Sequence, residues 1–305
     1  MFLSKKVTKK RVVEEGQTFS DYLMSQQNKI DDALRAWFQS KPQEKILEAA
    51  CYSLFLPSKR LRSLLCLETC YALCGQEDRA MSAAMALEIL HTYSLIHDDL
   101  PVMDNGELRR GKLTNHRVYG EGLALLAGDG LLTAAFEVLA KSSASAQTCI
   151  KWMVELAEAA GMEGMVLGQQ IDIENNPFQT EEQLEFLHRK KTGALLAASF
   201  VMGAEAAGAE EFVQKSLAAF GQDLGLAFQI RDDILDLEGN ATLGKSRQKD
   251  TKNHKSTYVS VLGLEKAKQR SQYWHDQALK KLSRIHFSYE NRLEELARFI
   301  IKRLI

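Results

Sequence analysis

An all-α fold is predicted by three observations on this 305-residue chain. It contains only four prolines, Pro42, Pro57, Pro101 and Pro177, and the stretches between them are rich in Ala, Leu, Glu, Lys, Gln and Met, the strong helix formers. Apolar residues recur at three- and four-residue spacing, as one face of a helix requires. Sustained two-residue alternation, the mark of a half-buried strand, is missing.

Taken in order, the spacing predicts helices over 19–38, 44–56, 61–73, 80–100 and 123–139, then over 150–171, 181–202, 211–237, 258–282 and 291–304. Lys59-Arg-Leu-Arg62 opens the third. The fourth is apolar all round as far as Ile96, and Pro101 follows it. Thr180-Glu-Glu-Gln183 reads as a capping box that opens the seventh after a Pro177-containing loop, and Lys190-Lys191-Thr192 interrupts that helix. The stretches 80–96 and 224–235 are apolar on every side, which predicts central helices surrounded by others. No linker or short-period repeat divides the chain, so 1–305 is expected to be one domain with 1–16 as a flexible N-terminal extension. The polar, basic segment 239–254 has little apolar surface to anchor it and is the expected mobile loop.

Composition narrows the function classes. At 45% hydrophobic and 26% charged the chain is an ordinary globular protein. Lys plus Arg number 39 against 40 for Asp plus Glu, so no global field favours nucleic acid and an anion site must be built locally. The basic start lacks an apolar signal core, and no apolar run is expected to approach a membrane span. Five cysteines, an odd count without framework spacing, suit a reducing compartment; the expected location is cytoplasmic. Cys66, Cys70 and Cys74 form a helical stripe without a fourth ligand and read as small buried residues.

Two acidic clusters carry the chemistry: Asp98-Asp99-Leu-Pro-Val-Met-Asp104 and Asp232-Asp233-Ile-Leu-Asp236. Carboxylates crowded this closely repel one another unless hard cations sit between their oxygens. Asp232 and Asp236 lie about 40° apart around a helix and can share an ion. Asp98 and Asp104 would be about 120° apart on a straight helix, so Pro101 is expected to break it and let the chain return. Oxygen ligands without His or Cys select Mg²⁺ or Ca²⁺, and Mg²⁺ is the usual partner of substrate phosphates. Basic residues keep these clusters company: Arg109-Arg110, Lys245 and Lys255 in sequence, with Lys59, Arg62, His91 and Lys191 elsewhere. Taken singly, Arg60, Arg189 and Lys190 read as solvated surface charges. Together with Mg²⁺ the set suits a polyanionic substrate such as a diphosphate.

Ser94-Leu-Ile-His-Asp98-Asp99-Leu-Pro-Val-Met-Asp104, Arg109-Arg110-Gly111, Gly168-Gln169-Gln-Ile-Asp172, Lys191-Thr192-Gly193, Phe228-Gln229-Ile-Arg-Asp232-Asp233-Ile-Leu-Asp236 and Leu243-Gly244-Lys245 resemble the motifs of the trans-prenyl diphosphate synthases. The tail through Lys255-Ser-Thr-Tyr258 resembles their bacterial farnesyl diphosphate synthases. The resemblance implies an isoprenoid-synthase helical bundle around a central cavity, a homodimer, and prenyl diphosphate substrates. It implies three Mg²⁺ ions on a metal set of Asp98, Asp99, Asp104, Asp232, Asp233 and Asp236, with Asp98, Asp104 and Asp232 as direct ligands and Asp99 and Asp236 in support. Arg109, Lys191, Thr192, Gln229, Lys245 and Lys255 would hold the allylic diphosphate, and Lys59, Arg62, His91 and Arg110 the isopentenyl diphosphate. Gln169 and Asp172 would line the metal and diphosphate site. Asp98, Asp104, Asp232, Lys191 and Arg109 would carry catalysis by stabilising the departing diphosphate.

Tyr93, five residues before Asp98, stands where the resemblance places the floor that stops chain growth at three isoprene units. Farnesyl diphosphate is therefore the expected product, with a geranylgeranyl synthase as the alternative; a class I terpene cyclase and an inactive partner subunit are further readings. The sequence departs from the family pattern at Pro57-Ser58, where Gly-Gly is usual, at Asn105-Gly106-Glu107, where acids are common, and at His254, where Gly commonly stands.

Overall fold

The computed structural model describes residues 18–174, 180–238 and 256–302. Its helices are α1 (Phe19–Gln39), α2 (Lys45–Leu54), α3 (Leu61–Cys74), α4 (Met81–Asp98), α5 (Asn115–Tyr119), α6 (Glu121–Ala140) and α7 (Ala146–Ala160). They continue with α8 (Met165–Ile173), α9 (Glu181–His188), α10 (Ala194–Ala206), α11 (Glu211–Glu238), α12 (Tyr258–Leu262), α13 (Leu264–Leu282) and α14 (Leu293–Lys302). The expected extension 1–16, the Pro177 loop, the loop 239–254 with His254, and the candidates Lys245 and Lys255 lie outside the described residues.

The all-α expectation is met, with local differences that have local causes. The helix expected over 150–171 is two, because Gly161 ends α7 and the chain turns through Gly164 into α8. Gly263, at φ +79°, splits the stretch expected over 258–282 into α12 and α13. The stretch expected over 181–202 contains a π-helical turn, Arg189–Gly193, between α9 and α10. Its capping box is present, with Gln183 N–H donating to Thr180 Oγ1 and Thr180 N–H to Gln183 Oε1. A two-stranded hairpin, β1 (Leu108–Arg109) with β2 (Lys112–Leu113), was not expected.

The core gathers around α4, α10 and α11. Every residue of 195–204 is buried, so α10 is enclosed even more completely than α4. Glycines allow the tight contacts: a Cβ at Gly221 would crowd Ala197 and Phe200, and one at Gly225 would press on the Gly193 Cα. Phe200 and Phe220 meet edge to face at 4.8 Å, and Trp152 Nε1 donates to the Met202 carbonyl at 3.0 Å, tying α7 to α10. A smaller apolar cluster of Leu184, Leu226, Ile230, Ile234, Tyr258 and Ala267 fastens α9, α12 and α13 to the end of α11 that bears the second acidic motif.

The sequence reading of apolar run lengths needs a correction. α6, 20 residues long, is apolar enough by length and composition to cross a membrane. Ala124, Ala127, Gly128, Leu131, Ala135 and Val138 turn one side of it into the core, where it packs on α4.

Candidate active site

The first acidic motif closes on itself as its proline requires. α4 ends at Asp98, and the chain folds back so that Asp104 N–H donates to the Asp98 carbonyl at 2.9 Å. Asn105 N–H donates to Leu100 O and Gly106 N–H to Asp99 O, both at 3.1 Å. Asn105 takes φ 46° to make the turn. Asp104 is thus carried to the helix end that presents Asp98.

Asp99 is paired with an arginine. It is buried, and its two oxygens accept a forked pair of hydrogen bonds from Arg109, at 2.5 Å from Nε and 2.9 Å from Nη2. Arg109 ends β1. Arg110 at φ 54° and Gly111 at φ 75° form a two-residue loop with both residues left-handed, the turn that matches a hairpin's twist. Arg60, Asn105 and Arg110 are the non-glycine residues with positive φ among those described, and all three belong to the candidate site. Of the three, only Arg110 was expected to bind a substrate; Arg60 and Asn105 shape the backbone beside expected site residues.

Asp98 reports the electrostatics of the pocket. Burial pushes its carboxyl above the ordinary range; Lys191 and Arg109 pull it back, while Asp104 and Asp99 add to the rise. Lys191 belongs to the π turn, and its Nζ donates to Asp172 Oδ2 at 2.7 Å. The turn sits close to α8 because residue 168 is glycine: a Cβ there would overlap the Lys191 backbone. Beside it His188 is buried and held near 4, lowered by burial and by Lys191 and drawn up by Asp172 and Asp232. Lys191 thus lowers Asp98 of the first motif, and His188 beside it feels both Lys191 and Asp232 of the second.

A polar chain ties the second motif to the same turn. Thr192 Oγ1 donates to Gln229 Oε1 at 3.0 Å, and Gln229 Nε2 donates to Asp233 Oδ1 at 3.1 Å. Asp233 Oδ2 accepts from Tyr258 N–H at 2.9 Å. Asp233 is buried by these contacts, whereas Asp232 and Asp236 flank it on α11. Gln169 Nε2 is buried on α8 without an acceptor among the described residues.

A second group of basic residues gathers around His91. His91 is kept neutral, well below its ordinary value, by burial and then by Arg62, Arg110, Arg109 and Arg60. Arg110 is lowered to about 10, chiefly by burial, and Arg62 is lowered by burial, with Glu88 opposing both. Arg62 Nε is buried with no acceptor among the described residues. Crowded cations with an unused donor are what an incoming anion satisfies. Lys59 lies over the Phe299 ring of α14 at 4.7 Å.

Arg60 corrects the sequence reading of a solvated charge. It is 3% exposed; its guanidinium donates to Asp31 Oδ1 at 2.8 Å, Leu54 O at 2.7 Å and Glu88 Oε2 at 3.5 Å. Arg189 pairs with Asp223 at 3.4 Å and stacks on Trp274, while Lys190 donates to the Glu163 carbonyl at 2.6 Å. Glu88 and His188 were missed. The available signal for Glu88 was a lone carboxylate inside an otherwise apolar helix.

Among the described residues no group of three or more His, Cys, Asp or Glu side chains is arranged to hold a metal ion by itself. The donor set nevertheless fits Mg²⁺. It is made of carboxylates, Asp98 is raised by burial first and also by Asp104 and Asp99, and Mg²⁺ is ordinarily held by one or two carboxylates completed by water and substrate phosphate.

The polyprenyl synthetase family model matches residues 43–296. A farnesyl diphosphate synthase of Geobacillus stearothermophilus is 44% identical over 255 residues, 82% of this chain and 86% of its own. Geranylgeranyl pyrophosphate synthase 7, chloroplastic, of Arabidopsis thaliana is 41% identical over 291 residues, 93% of this chain and 84% of its own. Among solved structures, a geranyltransferase from Helicobacter pylori complexed with magnesium and isoprenyl diphosphate superposes with a TM-score of 0.80 at 33% identity, over 94% of this chain and 99% of that one.

Proposed function

Because the chain belongs to the polyprenyl synthetase family and is a transferase, we propose that it condenses isopentenyl diphosphate with dimethylallyl or geranyl diphosphate to give farnesyl diphosphate, with three Mg²⁺ ions at the acidic motifs. The observation that carries this reading is the π turn, bonded to the second motif through Thr192, Gln229 and Asp233, whose Lys191 is bonded to Asp172 and lowers the buried Asp98. A diphosphate that bridges both motifs would meet this cation.

Asp98, Asp104 and Asp232 would hold the ions, with Asp99, Asp233 and Asp236 supporting them; bound Mg²⁺ supplies charge stabilisation as the allylic C–O bond ionises. Lys191, Thr192, Gln229 and Arg109, with Lys245 and Lys255, would orient the allylic diphosphate. Gln169 and Asp172 would support that orientation from α8. Arg62, Arg110, His91 and Lys59 would seat isopentenyl diphosphate so that its double bond faces the allylic carbon. As the new C–C bond forms, a proton leaves the isopentenyl unit, and the released diphosphate is the base at hand.

Tyr93 supports a fifteen-carbon product. It is buried on α4, five residues before Asp98, and its phenol is raised by burial and then by Asp98. The geranylgeranyl synthase among the relatives makes twenty carbons the competing product. Five free cysteines support a cytoplasmic enzyme, and we read the whole chain as one catalytic domain acting as a homodimer. Incubation with labelled isopentenyl diphosphate, each allylic starter and Mg²⁺ should yield fifteen-carbon product; twenty carbons as the main product would reject the farnesyl assignment. Asp98→Ala and Asp232→Ala should each lower turnover about 10³-fold, and near-normal rates in either would reject a site built from both motifs.

A further inference from the structure

Behind Tyr93 the packing of α4 on α6 holds a second layer. Tyr93 and His97 are four residues apart and share a face of α4. Their rings meet edge to face, with centroids 5.4 Å apart and planes at 89°. The His97 imidazole then reaches α6, where Nε2 lies 3.0 Å from the Leu125 carbonyl oxygen, placed to donate to it; Asp129 Oδ1 is farther off at 3.8 Å. Gly128 lies directly under the ring, and a Cβ on it would overlap the imidazole. Gly128 thus leaves the imidazole room against the bare backbone of α6.

We propose that His97 is a positioning residue for product length: through the Leu125 carbonyl and the bare Gly128 it latches Tyr93 to α6 and fixes the height of the cavity floor. This rests on the reading that Tyr93 is that floor. A tyrosine ring that stops a growing tail must resist being pushed aside, and its own side-chain torsions offer little resistance. The perpendicular His97 ring, itself held by a hydrogen bond and by close packing, removes the space into which Tyr93 would swing. Loss of the latch leaves a floor that yields, whereas loss of the Tyr93 ring leaves none. The two changes should therefore differ in degree.

The test sizes the labelled products of the wild type, Tyr93→Ala, His97→Ala, His97→Gln and Gly128→Ala at equal conversion, with folding checked by circular dichroism. Tyr93→Ala should make mainly longer products. His97→Ala should raise the share beyond the wild-type length roughly fivefold, the scale of one lost aromatic pair. His97→Gln, whose amide N–H reaches the same carbonyl, should return part of the way. Gly128→Ala, which evicts the ring, should leak like His97→Ala, and the double variant should leak no more than either. If Tyr93→Ala lengthens the product while folded His97→Ala and Gly128→Ala do not, the latch is overturned and the floor stands. If Tyr93→Ala leaves the product unchanged, the floor reading fails; the latch fails with it whether or not His97→Ala lengthens the product, because His97 would then not act through Tyr93.

Discussion

Arg60 holds three elements at one point: Asp31 of α1, the end of α2 through the Leu54 carbonyl, and Glu88 of α4. Its neighbours Lys59 and Arg62 can serve an anion only if this clamp holds the start of α3 in place. Removing one partner of a buried ion pair leaves the other stranded, so Arg60→Ala should cost about 3–5 kcal/mol in urea unfolding. Arg62 and Lys191 should divide differently. Arg62→Ala is expected to raise KM mainly for isopentenyl diphosphate and Lys191→Ala mainly for the allylic substrate; equal effects on both substrates would reject two separate pockets. Away from this site, Glu155 and Glu205 are each raised to about 7 from an ordinary 4.5, by burial first and then by Glu158 for one and Glu155 for the other. Glu205 Oε2 is buried without a donor among the described residues. Between pH 4.5 and about 7 the unfolded glutamates have shed protons that the folded ones keep, so their contribution to stability is lost as pH rises through that window. Glu205→Gln should gain in Tm relative to the wild type as pH rises from 4.5 to 8, and a constant difference would refute the shift.

At the scale of the element, the π turn Arg189–Gly193 decides where Lys191 and Thr192 point. Such insertions recur at functional sites because one extra residue re-aims the side chains of a turn. It fits here only because Gly168 of α8 has no Cβ to meet the Lys191 backbone. Exchanging glycine for alanine inside a helix ordinarily stabilises it by about 1 kcal/mol. Gly168→Ala is expected to do the reverse, lowering both Tm and turnover; a stabilised, fully active variant would show that the turn does not depend on this contact. The return of Asp104 to Asp98 was legible in the sequence because proline geometry and helix angles act over a few residues. Lys190-Lys191-Thr192 marked an interruption of its helix, but the π geometry was not legible, since one added residue hardly disturbs an apolar period averaged over 181–202. Arg110-Gly111 between Leu108 and Leu113 did not read as a tight hairpin, because arginine is an unusual residue at positive φ. Arg60, Glu88 and His188 were hidden for a different reason: what they touch comes from distant parts of the chain.

For the whole molecule, the sequence pattern separated central from peripheral helices well, placing α4 and the latter part of α11 inside; it did not single out α10. Its limit appears at α6, where the residues are apolar on both sides yet only one side is covered. Gly122, Leu125, Leu126, Asp129, Gly130 and Thr133 form an exposed stripe opposite the buried one, with Leu125 45% and Leu126 53% exposed. These spacings of three and four residues put the two leucines on one continuous face. Flanking glycines at 122 and 130, with nothing near where their Cβ atoms would be, leave that face low enough for another backbone to approach. A second copy of the chain would cover it and would bury α6 between two cores. Since the Leu125 carbonyl also receives His97, such a contact would bear directly on the helix proposed to support the cavity floor. The wild type should sediment at twice its 34.3 kDa chain mass, and Leu125→Glu/Leu126→Glu, which places two charges on the face, should sediment as a folded monomer. A wild-type monomer at micromolar concentration would refute the dimer, and a double variant that stayed dimeric would move its contact away from α6.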